Sequence, residues 1–424
     1  MKIVIPIEFY RKGGVERVII SLIPNLLPFV EQIIFLIPRG QIPYFQSVLP
    51  ESEKFVYEDF AFYKNSVEPK IFALYDLLAA FYKTIKLERI HELFSRRLVR
   101  LRIEARINQV IDRYGADHCF YPMINRVTPP NLKVPLSGLS HDLFWRFAPL
   151  TYSESYRETY DELLKEWLDK ADIIFTNSRK TKNEILRVFP NATYERKIKA
   201  IPLAGSIDRP STENTPERSD PVTFYYPSSF GIYKDHLTLV KAAVKLARKD
   251  LNFKIVLIGK ETDSLLNGKL QLSQQSKTEE YRDYLEECNR IHAENREIID
   301  RYIEGLGYQD YETLEFYYRI CSCVVFTSKY EGFGLALAES IVRGIPAIVS
   351  DLEVFREQVE LYNCGDRTRF FPAGDADALA DRLEEFIRAP IPRLLPEDIP
   401  SKINLWTWED VAKEYIATFQ ENAR

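Results

Sequence analysis

Two glutamates flank a glycine-containing turn in the second half of the chain. Glu331 and Glu339 enclose Gly332 and Gly334 within the stretch TSKYEGFGLALAE. An apolar run ends near Thr327 and a helical pattern follows the glycines, which predicts a strand, a turn and a helix in that order. Glycines at such a turn let a ligand approach the backbone, and the N-terminus of a helix attracts anions. The stretch therefore predicts an anion site bordered by two carboxylates.

The two carboxylates can serve different purposes at such a site. Glu339 lies about one turn into the predicted helix, where it can accept hydrogen bonds from ribose hydroxyls. Glu331 lies on the turn, where it can face a sugar ring. The alternative is that Glu331 is a charge near a helix start and that Glu339 is a solvated surface residue. Spacing alone leaves both interpretations open.

A lysine follows another predicted strand in the same half. Lys234 stands in FGIYKDH, between the apolar run Val222–Pro227 and a helical pattern that begins at Leu237. A lysine at a strand-to-helix turn is suited to a phosphate group, which it binds as a point charge. A solvated surface lysine is the alternative.

Two further clusters lie in the first half. Gly13 and Gly14 stand in RKGGVER, which is neither a dinucleotide fingerprint nor a P-loop, so a plain turn is the simplest interpretation. His141 follows the predicted strand Val134–Leu139 directly. A histidine there is either structural or able to exchange a hydrogen bond with a sugar hydroxyl.

Short β-branched or aromatic runs alternate with longer helical patterns along the chain, which predicts parallel sheets covered by helices. The predicted strands are Lys2–Ile7, Gln32–Pro38, Asp117–Tyr121, Val134–Leu139, Asp172–Asn177, Lys197–Pro202, Val222–Pro227, Phe253–Gly259, Asp300–Glu304, Ser322–Thr327, Pro346–Ser350 and Thr368–Phe371.

A polar segment rich in Pro, Ser and Thr divides the chain and is the best linker candidate. We predict a first α/β domain over 1–205, a linker over 206–221, a second α/β domain over 222–403 and a final helix within 404–424. Two doubly wound domains that face each other place the carboxyl ends of both sheets around one cleft, where ligands bind.

Composition narrows the class of protein. The 424 residues carry a net charge of -5, which is not that of a nucleic-acid-binding protein. The N-terminus lacks the pattern of a signal peptide, and no apolar run is long enough to span a membrane. Cys321 and Cys323 lie in an apolar run, and no second Cys/His pair has metal-ligand spacing. We therefore expect buried thiols, no metal and a cytoplasmic location.

The stretch from Glu331 onward resembles the E-x7-E signature of glycosyltransferase family 4 (glycosyltransferase group 1) in the GT-B superfamily. The matching positions are the two glutamates, the glycines between them, Gly344, Pro346 and the pair Ser350-Asp351. The resemblance implies two Rossmann-like, doubly wound domains that face each other across a cleft. It also implies that the C-terminal helix crosses back onto the N-terminal domain, which binds the acceptor.

The resemblance also implies roles for individual residues. Glu331 and His141 lie beside the donor sugar and the transferred bond, and Glu339 binds the ribose. Lys234 contacts the donor diphosphate and counts with Glu331 and His141 as catalytic. Backbone groups complete the donor site, at Gly13, Gly14, Gly332, Phe333, Gly334 and Leu335. Ser229 stands where the family often has an arginine, so one contact to the diphosphate is weakened.

The implied activity is transfer of a hexosyl group from a nucleoside diphosphate sugar to a saccharide or lipid-linked acceptor, with retention and without metal or cofactor. Polysaccharide or glycoconjugate biosynthesis is the expected setting. Two alternatives remain: an inactive homologue that acts as a saccharide-binding or partner protein, and a sugar-nucleotide epimerase.

One basic segment is not explained by a donor site. Residues 83–113 contain nine Lys or Arg against four Asp or Glu, in a helical pattern. A solvated face with salt bridges is one interpretation. Peripheral contact with an anionic membrane at its inner face, or with a pyrophosphate-linked lipid acceptor, is the other.

Overall fold

The computed structural model describes residues 1–8, 13–60, 88–148, 152–206, 221–268, 270 and 278–422, with the backbone alone at 88–99 and 155. Two parallel sheets organise this part of the chain. The first has the order β3-β2-β1-β4-β5-β6-β7 and the second the order β10-β9-β8-β11-β12-β13. Both sheets reverse their strand order beside their first strand, and in such folds ligands bind outside the carboxyl ends of the strands at this point.

The strands of the first sheet are β1 Lys2–Pro6, β2 Gln32–Ile37, β3 Phe55–Asp59, β4 His118–Tyr121, β5 Leu136–Ser140, β6 Ile173–Thr176 and β7 Ile198–Ala200. Those of the second are β8 Val222–Pro227, β9 Phe253–Ile258, β10 Ile303–Gly305, β11 Cys323–Phe326, β12 Ala347–Ser350 and β13 Thr368–Phe371. Neighbouring strands are parallel throughout, for example β1 with β2 and β8 with β9.

The helices of the first half are α1 Gly14–Leu26, α2 Ile42–Val48, α3 Glu88–Tyr114, α4 Phe144–Phe147, α5 Glu154–Lys170, α6 Arg179–Val188 and α7 Ala192–Lys197. Those that follow are α8 His236–Ala247, α9 Thr262–Leu266, α10 Glu279–Glu294, α11 Arg296–Tyr302, α12 Tyr311–Ile320, α13 Leu335–Val342, α14 Glu353–Tyr362, α15 Ala376–Arg388, α16 Ile399–Lys402 and α17 Trp408–Asn422.

The predicted fold class is confirmed, because helices cover both faces of two parallel sheets, and several strands, such as β2 and β11, are buried apolar runs. One strand was not predicted, β3. Another prediction was partly wrong: Asp300–Tyr302 belongs to α11, and the strand begins at Ile303. The helix extends that far because Ile299 and Tyr302, three residues apart, both face the core.

The last helix crosses back to the first sheet, as the fold class requires. The Tyr415 ring stacks on Phe175 of β6 with ring centroids 4.1 Å apart. The Phe419 ring lies 4.2 Å from the ring of His118 on β4. Trp406, just before the helix, donates a hydrogen bond of 3.0 Å from Nε1 to the carbonyl of Pro202. The first sheet is therefore completed by residues from the far end of the chain.

Several predictions concern residues outside the described part or features away from the cleft. Most of the predicted linker (207–220) and residues 83–87 of the basic segment lie outside it. In the described part of α3, Arg106 and Arg113 pair with Glu58.

The five cysteines are free and buried, which confirms the buried thiols. None of the described helices combines the length and apolar character that crossing a membrane requires.

Candidate active site

A cleft of about 800 Å³ lies at the carboxyl ends of the strands and is lined by both halves of the chain. Every residue predicted for the site borders it, namely Gly13, Gly14, His141, Lys234, Glu331, Gly332, Phe333, Gly334, Leu335 and Glu339. Ser229 borders it as well. The structure therefore brings together clusters that are separated by more than 300 residues in sequence.

Glu331 and Lys234 form an ion pair at the bottom of the second domain's side of the cleft. Lys234 Nζ lies 2.5 Å from Glu331 Oε1, which also accepts a hydrogen bond of 2.7 Å from Ser328 Oγ. Burial disfavours the charged lysine, but the attraction of Glu331 outweighs it and raises the pKa of Lys234. Lys234 is therefore a permanent cation. The alternative of a solvated surface lysine is wrong, because its side chain is only 19% exposed.

The backbone around Lys234 is fixed from two sides. Its carbonyl accepts hydrogen bonds from Tyr226 and Thr327, of 2.7 and 2.9 Å. The next residue, Asp235, has φ 51°, a left-handed conformation that ends the turn and starts α8. Its carboxylate is held by Thr238 and Lys329 at 2.6 and 3.0 Å. The ammonium of Lys234 thus projects from a rigid turn rather than from a mobile loop.

The glycine turn before α13 needs its glycines for steric reasons. A Cβ on Gly332 would lie 2.2 Å from the carbonyl oxygen of His141, in the other half of the chain. Gly334 has φ 88°, and a Cβ there would lie 2.7 Å from the Phe355 ring. Helix α13 begins without a side-chain cap, so its first N–H groups suit an anion.

Glu339 is buried in α13 and is not the solvated surface residue that the alternative required, since it is 3% exposed. Arg17 Nη2 of α1 lies 2.8 Å from its Oε1, and the Tyr318 hydroxyl donates to its Oε2 at 3.2 Å. Each of the two cleft carboxylates thus has a cationic partner, which offsets the cost of placing like charges beside an anion site. Arg17 was not predicted, although it lies in the RKGGVER motif.

His141 is buried on the first domain's side of the cleft. Its Nε2 lies 2.8 Å from the carbonyl oxygen of Pro122, so Nε2 carries the proton and Nδ1 is an acceptor. Burial lowers the pKa of His141 to about 4, and the bond to Pro122 opposes this only in part. The imidazole is therefore neutral at physiological pH.

Gly13 and Gly14 border the cleft at the start of α1. Gly13 has φ 141°, and its N–H donates to Glu16 Oε2 at 3.2 Å. A Cβ on either glycine would have no heavy atom within 4 Å. Space beside both glycines is therefore open to a ligand.

A seam of polar contacts, which sequence reasoning missed, joins the start of α6 to the Glu331 turn. Lys180 Nζ donates to the carbonyl of Glu331 at 3.1 Å and pairs with Glu184 at 2.9 Å. Ser178 Oγ donates to the carbonyl of Gly332 at 2.8 Å. Glu357 of α14 accepts the Arg179 and Lys180 N–H groups, at 2.8 and 2.7 Å. The only sequence signal was a polar cluster directly after a predicted strand.

Comparison with known proteins agrees with this architecture. Residues 209–397 match the family model of glycosyl transferases group 1. A stretch of 63 residues is 38% identical to phosphatidyl-myo-inositol mannosyltransferase of Mycobacterium leprae, and it covers 15% of this chain and 16% of that protein.

Solved structures share the fold over almost the whole chain. A glycosyltransferase from Rickettsia africae has a TM-score of 0.63 at 16% identity, over 99% of this chain and 98% of that one. Anabaena HepE in complex with UDP and glucose has a TM-score of 0.56 at 13% identity, over 99% and 97%. Sucrose-phosphate synthase from Thermosynechococcus elongatus has a TM-score of 0.54 at 15% identity, over 100% and 96%.

The two sheets and the cleft between them have the GT-B fold, with two Rossmann-like domains. The resemblance seen in the sequence is confirmed over residues 209–397, which match the family model of glycosyl transferases group 1.

Proposed function

We propose that the protein transfers a hexosyl group from a nucleoside diphosphate sugar to a saccharide or glycolipid acceptor, with retention at the anomeric carbon. The proposal rests above all on the buried Lys234–Glu331 pair, 2.5 Å apart, beside the uncapped start of α13. A permanent cation and free backbone N–H groups at one point suit the diphosphate of such a donor. The family match supports the reaction class, and the UDP and glucose bound to HepE support the donor class.

Each site residue then has one role. Lys234 and the N–H groups of the 332–335 turn stabilise the charge that develops on the leaving diphosphate, without a metal. Glu331 orients the transferred sugar, and Nδ1 of His141 accepts a hydrogen bond from a sugar hydroxyl. Glu339 accepts hydrogen bonds from the ribose while Arg17 balances its charge. The glycosidic C–O bond breaks as the acceptor oxygen attacks the same face, and the acceptor proton passes to the diphosphate.

The first experiment follows nucleoside diphosphate release from UDP, GDP, dTDP and ADP sugars, with product anomers analysed by NMR. We expect one donor class to react, and Lys234→Ala to lower its rate about a hundredfold, equivalent to about 3 kcal/mol of lost transition-state stabilisation. The control is Lys245→Ala, which removes an exposed ion pair with Asp377. Wild-type rates in both Lys234→Ala and Glu331→Gln would show that this site is assigned wrongly.

The same assay separates the alternatives. An inactive homologue binds saccharides but releases no nucleoside diphosphate from any donor. An epimerase releases nucleoside diphosphate together with a free sugar altered at C2. The presence of Lys234 and Glu331 in the cleft favours the transferase over both the inactive homologue and the epimerase. Polysaccharide or glycoconjugate biosynthesis remains the setting that this activity would serve.

A further inference from the structure

Three side chains on the first domain's side of the cleft, those of Asp142, Phe144 and Tyr152, have no role in the donor chemistry. We propose that they form the acceptor subsite, an inference that rests on the proposed function. The subsite binds one pyranose ring, whose hydroxyls contact Asp142 and whose C–H face packs against the two aromatic rings. Pyranose rings have polar edges and apolar faces, and this pairing of a carboxylate with aromatic side chains matches both.

The carboxylate of Asp142 has one oxygen available for a ligand. Oδ1 accepts hydrogen bonds from the Phe144 N–H at 3.1 Å and from Asn125 Nδ2 at 3.5 Å. Within the described part of the chain, Oδ2 accepts none, and the residue borders the cleft. A half-buried carboxylate oxygen without a protein donor is suited to a sugar hydroxyl.

The aromatic rings stand where a sugar bound to Asp142 would meet them. The rings of Phe144 and Tyr152 meet edge to face, with centroids 5.4 Å apart and an angle of 82°. Phe144 meets Tyr233 of the second half in the same way at 4.5 Å. Tyr152 stacks on Tyr156 at 4.3 Å, which supports it from behind. Edge-to-face contacts leave ring faces for another partner.

The surrounding structure holds these side chains in place. Trp145 Nε1 and Arg146 Nε of α4 donate to the carboxylate of Asp161 on α5, at 2.8 and 2.6 Å. Asn125 Nδ2 donates to the carbonyl of Asp142 at 3.2 Å and joins the two loops after β4 and β5. A subsite held this way is preorganised, which lowers the entropy cost of binding a saccharide.

The position of Asp142 also fits an acceptor that attacks the donor sugar. A Cβ built on Gly332 would lie 2.9 Å from Cβ of Asp142, so the aspartate touches the donor turn from the other half of the chain. A ring bound to Asp142 therefore lies beside the transferred sugar. The acceptor class that follows is a neutral hexopyranoside.

Binding is tested without any donor, by saturation-transfer NMR with methyl α-glucoside, α-galactoside and α-mannoside, each with and without UDP. We expect at least one glycoside to bind the wild type, and Asp142→Asn to weaken it at least about tenfold through loss of a charged hydrogen bond. Phe144→Leu weakens it as well, through lost stacking area. Asp112→Asn, which alters an exposed carboxylate paired with Lys133, is the matched control and leaves binding unchanged.

Donor hydrolysis without acceptor provides the second measurement. The proposal expects Asp142→Asn to lower donor hydrolysis by a much smaller factor than it lowers the affinity for the glycoside. It is overturned if no glycoside binds the wild type, if Asp142→Asn binds as the wild type does, or if hydrolysis falls by as large a factor as binding, since the carboxylate then serves the donor sugar. Failure of the proposed function is a different result: the wild type releases no nucleoside diphosphate, whatever it binds.

Discussion

At the scale of single residues, Gly332 marks a close approach of the two halves of the cleft. Its carbonyl accepts a hydrogen bond from Ser178, and its Cα faces the backbone of His141. The approach to His141 has no room for a side chain, because a Cβ on Gly332 would lie 2.2 Å from the carbonyl oxygen of His141. The distance between the donor turn and the acceptor side is therefore set at this glycine.

Gly332→Ala is predicted to lower the transfer rate about a hundredfold, because a Cβ placed 2.2 Å from the carbonyl oxygen of His141 forces the two loops apart. Thermal unfolding should change little, since the substitution removes no apolar side chain from the hydrophobic core that the two sheets share. Gly40→Ala is the control, because a Cβ there meets nothing within 4 Å. Rates are measured at saturating donor and acceptor. A variant with unchanged rate would mean that the close approach has no catalytic consequence.

The sequence predicts single residues well where a turn is local. The glycines around Glu331 and the lysine at 234 are recognisable because each is set by a strand that ends and a helix that begins within a few residues. Arg17 and Lys180 were missed as site residues because their partners, Glu339 and Glu331, lie in the other half of the chain. Periodicity carries no information about contacts between domains.

At the scale of elements, the last helix depends on a buried histidine. His118 of β4 is 1% exposed, its Nε2 lies 2.7 Å from Ser137 Oγ, and its ring lies against Phe419. Burial lowers the pKa of His118 to about 3 from the ordinary 6.5. The unfolded chain therefore binds a proton below pH 6.5 that the folded protein does not, so stability present above that pH is lost as the pH falls.

His118→Gln is predicted to remove part of the acid sensitivity of the protein. Each pH unit below 6.5 should cost the wild type about 1.4 kcal/mol through this histidine, and the glutamine variant should lack that loss. Denaturant unfolding of both proteins at pH 7 and pH 5.5 measures the difference. Parallel pH curves for the wild type and His118→Gln would contradict the prediction.

Strands were predictable where they are continuous apolar runs, as in β2 and β11. The edge strand β3 was missed because it reads Phe-Val-Tyr-Glu-Asp, with acidic residues at its end. Glu58 is tolerated there because Arg106 and Arg113 of α3 pair with it. The two arginines lie about 50 residues further along the chain, so no local sequence pattern predicts that they neutralise Glu58.

At the scale of the whole molecule, Lys180 ties the two domains together at the reaction centre. It is buried with Glu184, and its ammonium group lies 3.7 Å from the centroid of the Tyr330 ring. Burial lowers the pKa of Lys180, and Glu184 opposes this in part. The Lys180–Glu184 ion pair therefore lies among the polar contacts between the two domains and not in the hydrophobic core.

Lys180→Met is predicted to cost about 3 kcal/mol of unfolding free energy, because Glu184 is left buried without its cation. The double variant Lys180→Met/Glu184→Gln should recover most of that stability, since glutamine still accepts the hydroxyl of Tyr330. Transfer should remain at least about tenfold slow in the double variant, because the Glu331 carbonyl has lost its donor from the other domain. Lys165→Met, in an exposed pair with Asp169, is the control. Full activity in the double variant would limit Lys180 to a structural role.

The return of α17 to the first sheet has a consequence for how the protein is made. Phe120 and Phe175 of the first sheet are covered by Tyr415 and Phe419, which leave the ribosome only after the entire second sheet has been synthesised. The first domain therefore emerges with an apolar surface that stays uncovered while more than 200 further residues are translated. At roughly 5 to 20 residues per second this interval lasts about ten seconds or longer. During it, we expect chaperones to bind the exposed apolar surface of the nascent first domain.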